Sequence, residues 1–181
     1  MNTTREIQKI SEEINAMAIE DQEVRKYSPK NNDYEKMKAI DEKNTKRIKE
    51  IINEYGCITI SKFGERVSQN AWLLIQHADD LAFKQKYCKL MEENINDIKK
   101  SNLALLKDRI LTNTGYKQLY GSQLFKGPND PHLYVQEIED IKNVDKRRAE
   151  MGLDTLYEYI MGFREMTGDN EIAFPEGYEH S

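Results

Sequence analysis

Apolar residues recurring three and four positions apart constrain this chain more than any other feature. Ile7, Ile10, Ile14, Met17 and Val24 follow that spacing and line one face of a helix over about 4–26. Turn chemistry follows at Tyr27–Asn32. Asp33 then caps a second helix over about 34–54, with its seam at Met37, Ile48, Ile51 and Tyr55. Gly56 suits the left-handed residue after a helix. Beyond a short extended stretch at Cys57–Ile60, Ser61 is expected to cap a third helix reaching about Asp79. It contains Trp72-Leu73-Leu74-Ile75, four apolar residues in a row that call for burial on nearly all sides. A fourth helix carries Phe83, Tyr87, Leu90, Met91, Ile95 and Ile98, and a fifth spans about 102–112.

After Asn113-Thr114-Gly115 the rhythm changes. Residues 117–125 and 133–138 read as two strands or an extended arm joined by a long Gly/Pro loop. A short helix begins at Asn143 or Asp145 and stops at Gly152, and Leu156, Tyr157, Ile160 and Met161 make one last turn or two. Residues 167–181 have few apolar anchors and are expected to be loose. The fold class is therefore mostly α: a compact bundle of about five main helices with a β-hairpin or extended arm and a short C-terminal helix. Residues 1–166 read as one domain, without internal repeats.

Composition narrows the function classes. With 27 basic and 32 acidic residues among 181, the net charge is −5 and the two signs are interspersed, a poor footprint for nucleic acid. No apolar run approaches the roughly 18–20 residues of a membrane span, and the first residues show no apolar signal core. Two cysteines make neither a disulfide framework nor, alone, a zinc site. A cytoplasmic chain that binds neither nucleic acid nor membrane is expected.

The interruptions of the apolar seams are the functional signal. At about 100° per residue, Asp21 and Arg25 lie inside the arc of the first helix, and Asp41 and Asn44 inside that of the second. His77 borders the arc of Val67, Ala71, Leu74, Ile75 and Ala78, while Asp108 and Arg109 interrupt Leu105-Leu106 and Ile110-Leu111. A charge on a seam needs a partner or a wet cavity, because bare burial costs several kcal/mol. Two readings stand side by side: a ligand or catalytic pocket, and a buried ion network that fixes helix register, with Asp21 paired to Arg25 and Asp108 to Arg147 or Arg148.

In the first reading His77 has the right chemistry for an acid–base or donor group. A metal at His77-Ala78-Asp79 is set aside, since side chains two residues apart on a helix diverge by about 160°; no metal and no cofactor are expected. Cys57 and Cys88 lack an adjacent base and read as small hydrophobes. In Gln118-Leu119-Tyr120-Gly121-Ser122-Gln123, a strand would place Gln118 and Tyr120 on one face and Gln123 on the other. Gly121 suits equally a close ligand approach and a bulge. No phosphate-loop motif is present.

The combination of Trp72 with Gln76-His77-Ala78-Asp79, then Gln85, Asp108-Arg109, Gln118-Leu119-Tyr120-Gly121-Ser122-Gln123, and Val144-Asp145-Lys146-Arg147-Arg148 with Gly152-Leu153 resembles an uncharacterised bacterial family, a domain of unknown function. Asp21-Gln22 with Arg25, and Asp41 with Asn44, look like the same pattern, so the resemblance runs from about Asp21 to Tyr159. Two departures stand out: the family's Gly-Trp-Pro-Thr is Gly56-Cys57-Ile58-Thr59 here, and its Thr is Ser122. The resemblance implies no activity, but it marks the same inward polar residues.

The expected function is an enzyme or binder for a small carboxylate or phosphate ligand in an inter-helical polar pocket. His77, Asp108 and Tyr120 would be catalytic. Asp21, Arg25, Asp41, Asn44, Arg109, Gln118 and Gln123 would bind the ligand, with Arg25 and Arg109 as anion clamps. The alternative is a protein–protein interaction or regulatory module whose polar interior is only structural.

Overall fold

A computed structural model describes residues 4–26, 33–127 and 132–179. The expected turn at 27–32 and part of the loop at 126–132 lie outside the described residues. The described residues form α1 (Thr4–Lys26), α2 (Asp33–Tyr55), α3 (Ile60–Phe63), α4 (Glu65–His77), α5 (Leu81–Glu93), α6 (Lys100–Asn113), β1 (Leu124–Lys126), β2 (Leu133–Val135), a 3-10 turn (Ile141–Asn143), α7 (Val144–Glu150) and α8 (Leu156–Thr167). The fold is mostly α with a small antiparallel hairpin. None of these helices is long and apolar enough to cross a membrane. The chain divides into two compact units, residues 1–102 and 103–181.

In the first unit α1, α2 and α4 pack on one another, α3 packs on α1 and α4, and α5 on α4. The seams drive this packing: Ile10, Ile14, Met17, Val24, Ile48, Ile51, Val67, Leu74 and Ile75 are all buried. Trp72 and Leu73 are half-buried, so α4 is less enclosed than four consecutive apolar residues implied. The single helix expected from Ser61 to Asp79 is broken at Gly64, whose φ of 85° ends α3 and whose carbonyl accepts the Ser68 N–H at the start of α4. Ser61 is no cap: it lies inside α3, and its N–H and hydroxyl both donate to the Asp97 carboxylate. Asp80 caps α5 by accepting the Phe83 N–H at 2.8 Å.

In the second unit the expected strands shrink to three residues each, in the register Leu124 to Val135, Phe125 to Tyr134 and Lys126 to Leu133. Residues 117–123 form an irregular turn in place of a strand, with one isolated bridge from Gln118 to Ile138. Val135, Ile138, Val144, Leu156, Ile160 and Ile172 make this unit's core. Thr155 and Glu158 form a capping box that starts α8, which runs on past the expected turn or two.

Among the described residues 168–179, several side chains are anchored, where composition alone predicts a loose tail. Ile172 is fully buried in the core, Phe174 stacks on Tyr157 and Tyr178, and the Tyr178 hydroxyl donates to Asp145 at 2.8 Å. The Arg164 guanidinium also anchors the segment, donating twice to the Ile172 carbonyl.

Candidate functional site

Four charged or titratable side chains from α1, α2 and α4 meet in the first unit. Asp21 sits on the α1 seam and is fully buried. Arg25, one turn on, donates from Nη1 to Asp21 Oδ1 at 2.8 Å. Its Nη2 donates to both oxygens of Asp41 on α2, at 2.8 and 2.9 Å. His77, the last residue of α4, places Nδ1 2.9 and 3.0 Å from the two Asp21 oxygens. One guanidinium thus ties α1 to α2, and one carboxylate ties α1 to α4. Breaking such a buried arrangement by removing one member is costly, because the remaining charge stays behind.

Burial works to raise the Asp21 carboxyl. The hydrogen bond and charge of His77, with Gln22 and Arg25, outweigh that and hold it below its ordinary value. The His77 side chain is 21% exposed. Its Nε2 has no hydrogen-bond partner among the described residues. A carboxylate that fixes one imidazole nitrogen and leaves the other open is the arrangement by which proteins aim a histidine at a ligand. Asn44, one turn from Asp41 on the same side of α2, is 2% exposed. Its Nδ2 lies 3.5 Å from the Met17 carbonyl, and its Oδ1 has no partner among the described residues.

Asp21, Asp41 and His77 each offer a ligand atom within 4.8 Å of the others, a grouping able to hold a metal ion. Asp79, the carboxylate beside His77 in sequence, is exposed and takes no part.

The expected residues of the second unit make a different kind of network. Asp108 is fully buried, and its carboxylate accepts the N–H groups of Leu119, Tyr120 and Ser122 at 2.8, 3.1 and 2.8 Å. Burial pushes the Asp108 carboxyl up, and those three bonds oppose it without cancelling it. The expected ion pair of Asp108 with Arg147 or Arg148 is not what holds it. Arg147 donates instead to the Leu119, Glu139 and Asp140 carbonyls and reaches the Asp140 carboxylate at 3.4 Å. Arg148 donates to the Tyr120 and Asp154 carbonyls at 2.6 Å each and lies over the Tyr159 ring.

Gln118 closes the turn. Its Nε2 donates to the Gln123 and Gln136 carbonyls, and its Oε1 accepts the Gln123 N–H at 2.7 Å. Gly121 has φ of 66°, and a Cβ there would come within 2.5 Å of Ile138 Cδ1. The space beside that glycine's Cα is filled by the Ile138 and Leu156 side chains. Arg109 donates from Nε to Gln123 Oε1 at 3.2 Å, and burial lowers the pKa of its guanidinium. Tyr120 is buried, with its N–H on Asp108 and its carbonyl on Arg148. Tyr159 donates its hydroxyl to the Ser122 carbonyl at 2.6 Å, and burial first of all pushes its pKa to about 12. Arg148 is expected from sequence only as an ion-pair partner of Asp108, and Tyr159 is not expected at the site, since a lone Tyr on a helix carries no spacing signal.

Two surface clefts of about 420 and 360 Å³ lie in this unit. Both are lined by Lys117, Val135 and Glu137, and neither by an expected site residue.

A family model described as "Family of unknown function (DUF6624)" matches residues 4–170. No curated protein and no solved structure matches the chain.

Proposed function

We propose that this chain, which belongs to the DUF6624 family of unknown function, is an enzyme or small-molecule binder. Its working centre is the Asp21–Arg25–Asp41–His77 cluster of the first unit. The observation that carries this reading is the His77 imidazole, fixed at Nδ1 by Asp21 and open at Nε2, with its side chain 21% exposed. An imidazole so held meets a ligand as hydrogen-bond partner or proton carrier. A carboxylate or phosphate is the ligand class proposed. Independently of that cluster, the half-buried Arg109, which donates to Gln123, is a candidate anion-binding group of the second unit by itself. Asp108, Gln118 and Tyr120 then serve by shaping the 117–123 turn that presents Gln123. Two free buried cysteines fit a reducing, cytoplasmic setting.

A melting screen against small carboxylates and phosphates tests this. At least one ligand is expected to raise the wild-type Tm and to lose that effect in His77→Gln, with the variant folded. The second reading, an interaction or regulatory module, draws on Arg25, whose two terminal nitrogens are both taken by carboxylates as in a register-fixing network. On that reading His77→Gln costs about 1–3 kcal/mol by leaving a buried partner unsatisfied, and the wild type responds to no ligand.

A further inference from the structure

We propose that Asp21, Asp41 and His77 form a divalent-cation site and that Arg25 is its built-in competitor. The inference rests on reading this cluster as the working centre, and it names a ligand that the anion-clamp expectation did not include. The three residues come from three helices, and their ligand atoms lie within 4.8 Å of one another. Ligand atoms at about 2.1 Å from one ion are at most about 4.2 Å apart, so a contraction of a few tenths of an ångström closes the set. Two carboxylate oxygens and an imidazole nitrogen are a mixed hard and borderline donor set, which suits Mn²⁺, Fe²⁺ or Zn²⁺ better than the all-oxygen preference of Ca²⁺ or Mg²⁺.

Electrostatics favours the same ligand class. Two carboxylates face one guanidinium, so the centre holds one negative charge in excess when the imidazole is neutral. Arg25 holds the place of the cation. Its Nη2 sits on both Asp41 oxygens, and its side chain is 22% exposed, so the head group has a route to solvent when displaced. A separate observation comes from Asn44. Its carboxamide oxygen is an acceptor without a donor among the described residues, in a side chain buried one turn from Asp41, and its Nδ2 lies 3.5 Å from the carbonyl of Met17, itself one turn before Asp21. Water held on a cation supplies the missing donor. Three protein ligands leave further coordination positions for water or an oxygen ligand.

The test titrates Mn²⁺ into chelator-treated protein, followed by calorimetry and by paramagnetic broadening of the histidine ring signals. Wild type is expected to bind one Mn²⁺ per chain and to broaden His77 before His132. Asp41→Asn and His77→Gln each weaken binding by about tenfold or more, and Arg25→Met strengthens it, because the competing guanidinium is gone. The broadening needs no variant, so a variant that fails to fold leaves the test intact. Absence of Mn²⁺ binding in both wild type and Arg25→Met overturns the site, as does binding that spares His77 or is unchanged in Asp41→Asn. The ligand screen is repeated with chelator and with Mn²⁺. A small molecule that depends on His77 in chelator, with no Mn²⁺ binding, removes the cation and keeps the working centre. Mn²⁺ bound at His77 with no small-molecule response keeps the cation and removes the ligand reading.

Discussion

Asp108 accepts three backbone N–H groups while fully buried, so its value lies in its acceptors. Asp108→Asn turns an amino group towards donors and should cost about 1–3 kcal/mol, read as a shift of the urea midpoint at constant slope. The pH dependence has a defined sign. Burial raises this carboxyl in the folded state. Its contribution is therefore fully present below the ordinary aspartate value of about 3.9 and is lost as pH rises through the folded value. The gap between wild type and Asp108→Asn should thus narrow from about pH 3 to neutrality. Asp21 shows the opposite balance in a comparably buried position, because charged and polar side chains outweigh desolvation there. Both residues stand out in the sequence as charges on an apolar seam. Nothing in the spacing separates one that organises a turn from one that holds a histidine.

Among elements, the segment after α8 departs furthest from its composition. Ile172 fills this unit's core beside Val135, Leu156 and Ile160. Ile172→Ala should cost about 2–5 kcal/mol, and truncation after Thr167 should lower the Tm by at least several degrees; an unchanged melting curve would count against this packing. The helices behave differently. α1 spans the range its apolar spacing predicts, and α2 differs by a residue at each end, because periodicity is a local property of the backbone. The 117–123 stretch forms a turn, where its alternation predicts a strand or an extended arm. Its alternation of residue types is overridden by Asp108 and Gln118, which gather its N–H groups into a turn.

At the scale of the whole chain, several basic residues are paired with acids among the described residues. Lys43 pairs with Glu20, Arg47 with Glu13 and Glu50, Lys49 with Asp80 and Lys117 with Glu137. With a net charge of −5 and the two signs interspersed along the sequence, the chain should not retard duplex DNA or RNA in a gel at physiological salt. Retardation that weakens steeply with added salt would contradict this.

The chain's own periodicity determined that it is helical, where most helices run, and which polar residues turn inward: Asp21, Arg25, Asp41, Asn44, His77 and Asp108 all lie on seams. Tertiary structure alone decided what each inward group meets. Asp21 and His77 are 56 residues apart, and Asp41 reaches Arg25 across 16. The seam position of His77 is set by the turn of its own helix, but its partner is set by how α1, α2 and α4 pack. The same reason explains Ile172, whose surroundings come from residues remote in sequence. It also explains Arg25, legible as an inward cation, whose occupation by two carboxylates appears only when α1 and α2 are side by side. Local spacing orients a side chain; packing between distant segments supplies the atoms it faces.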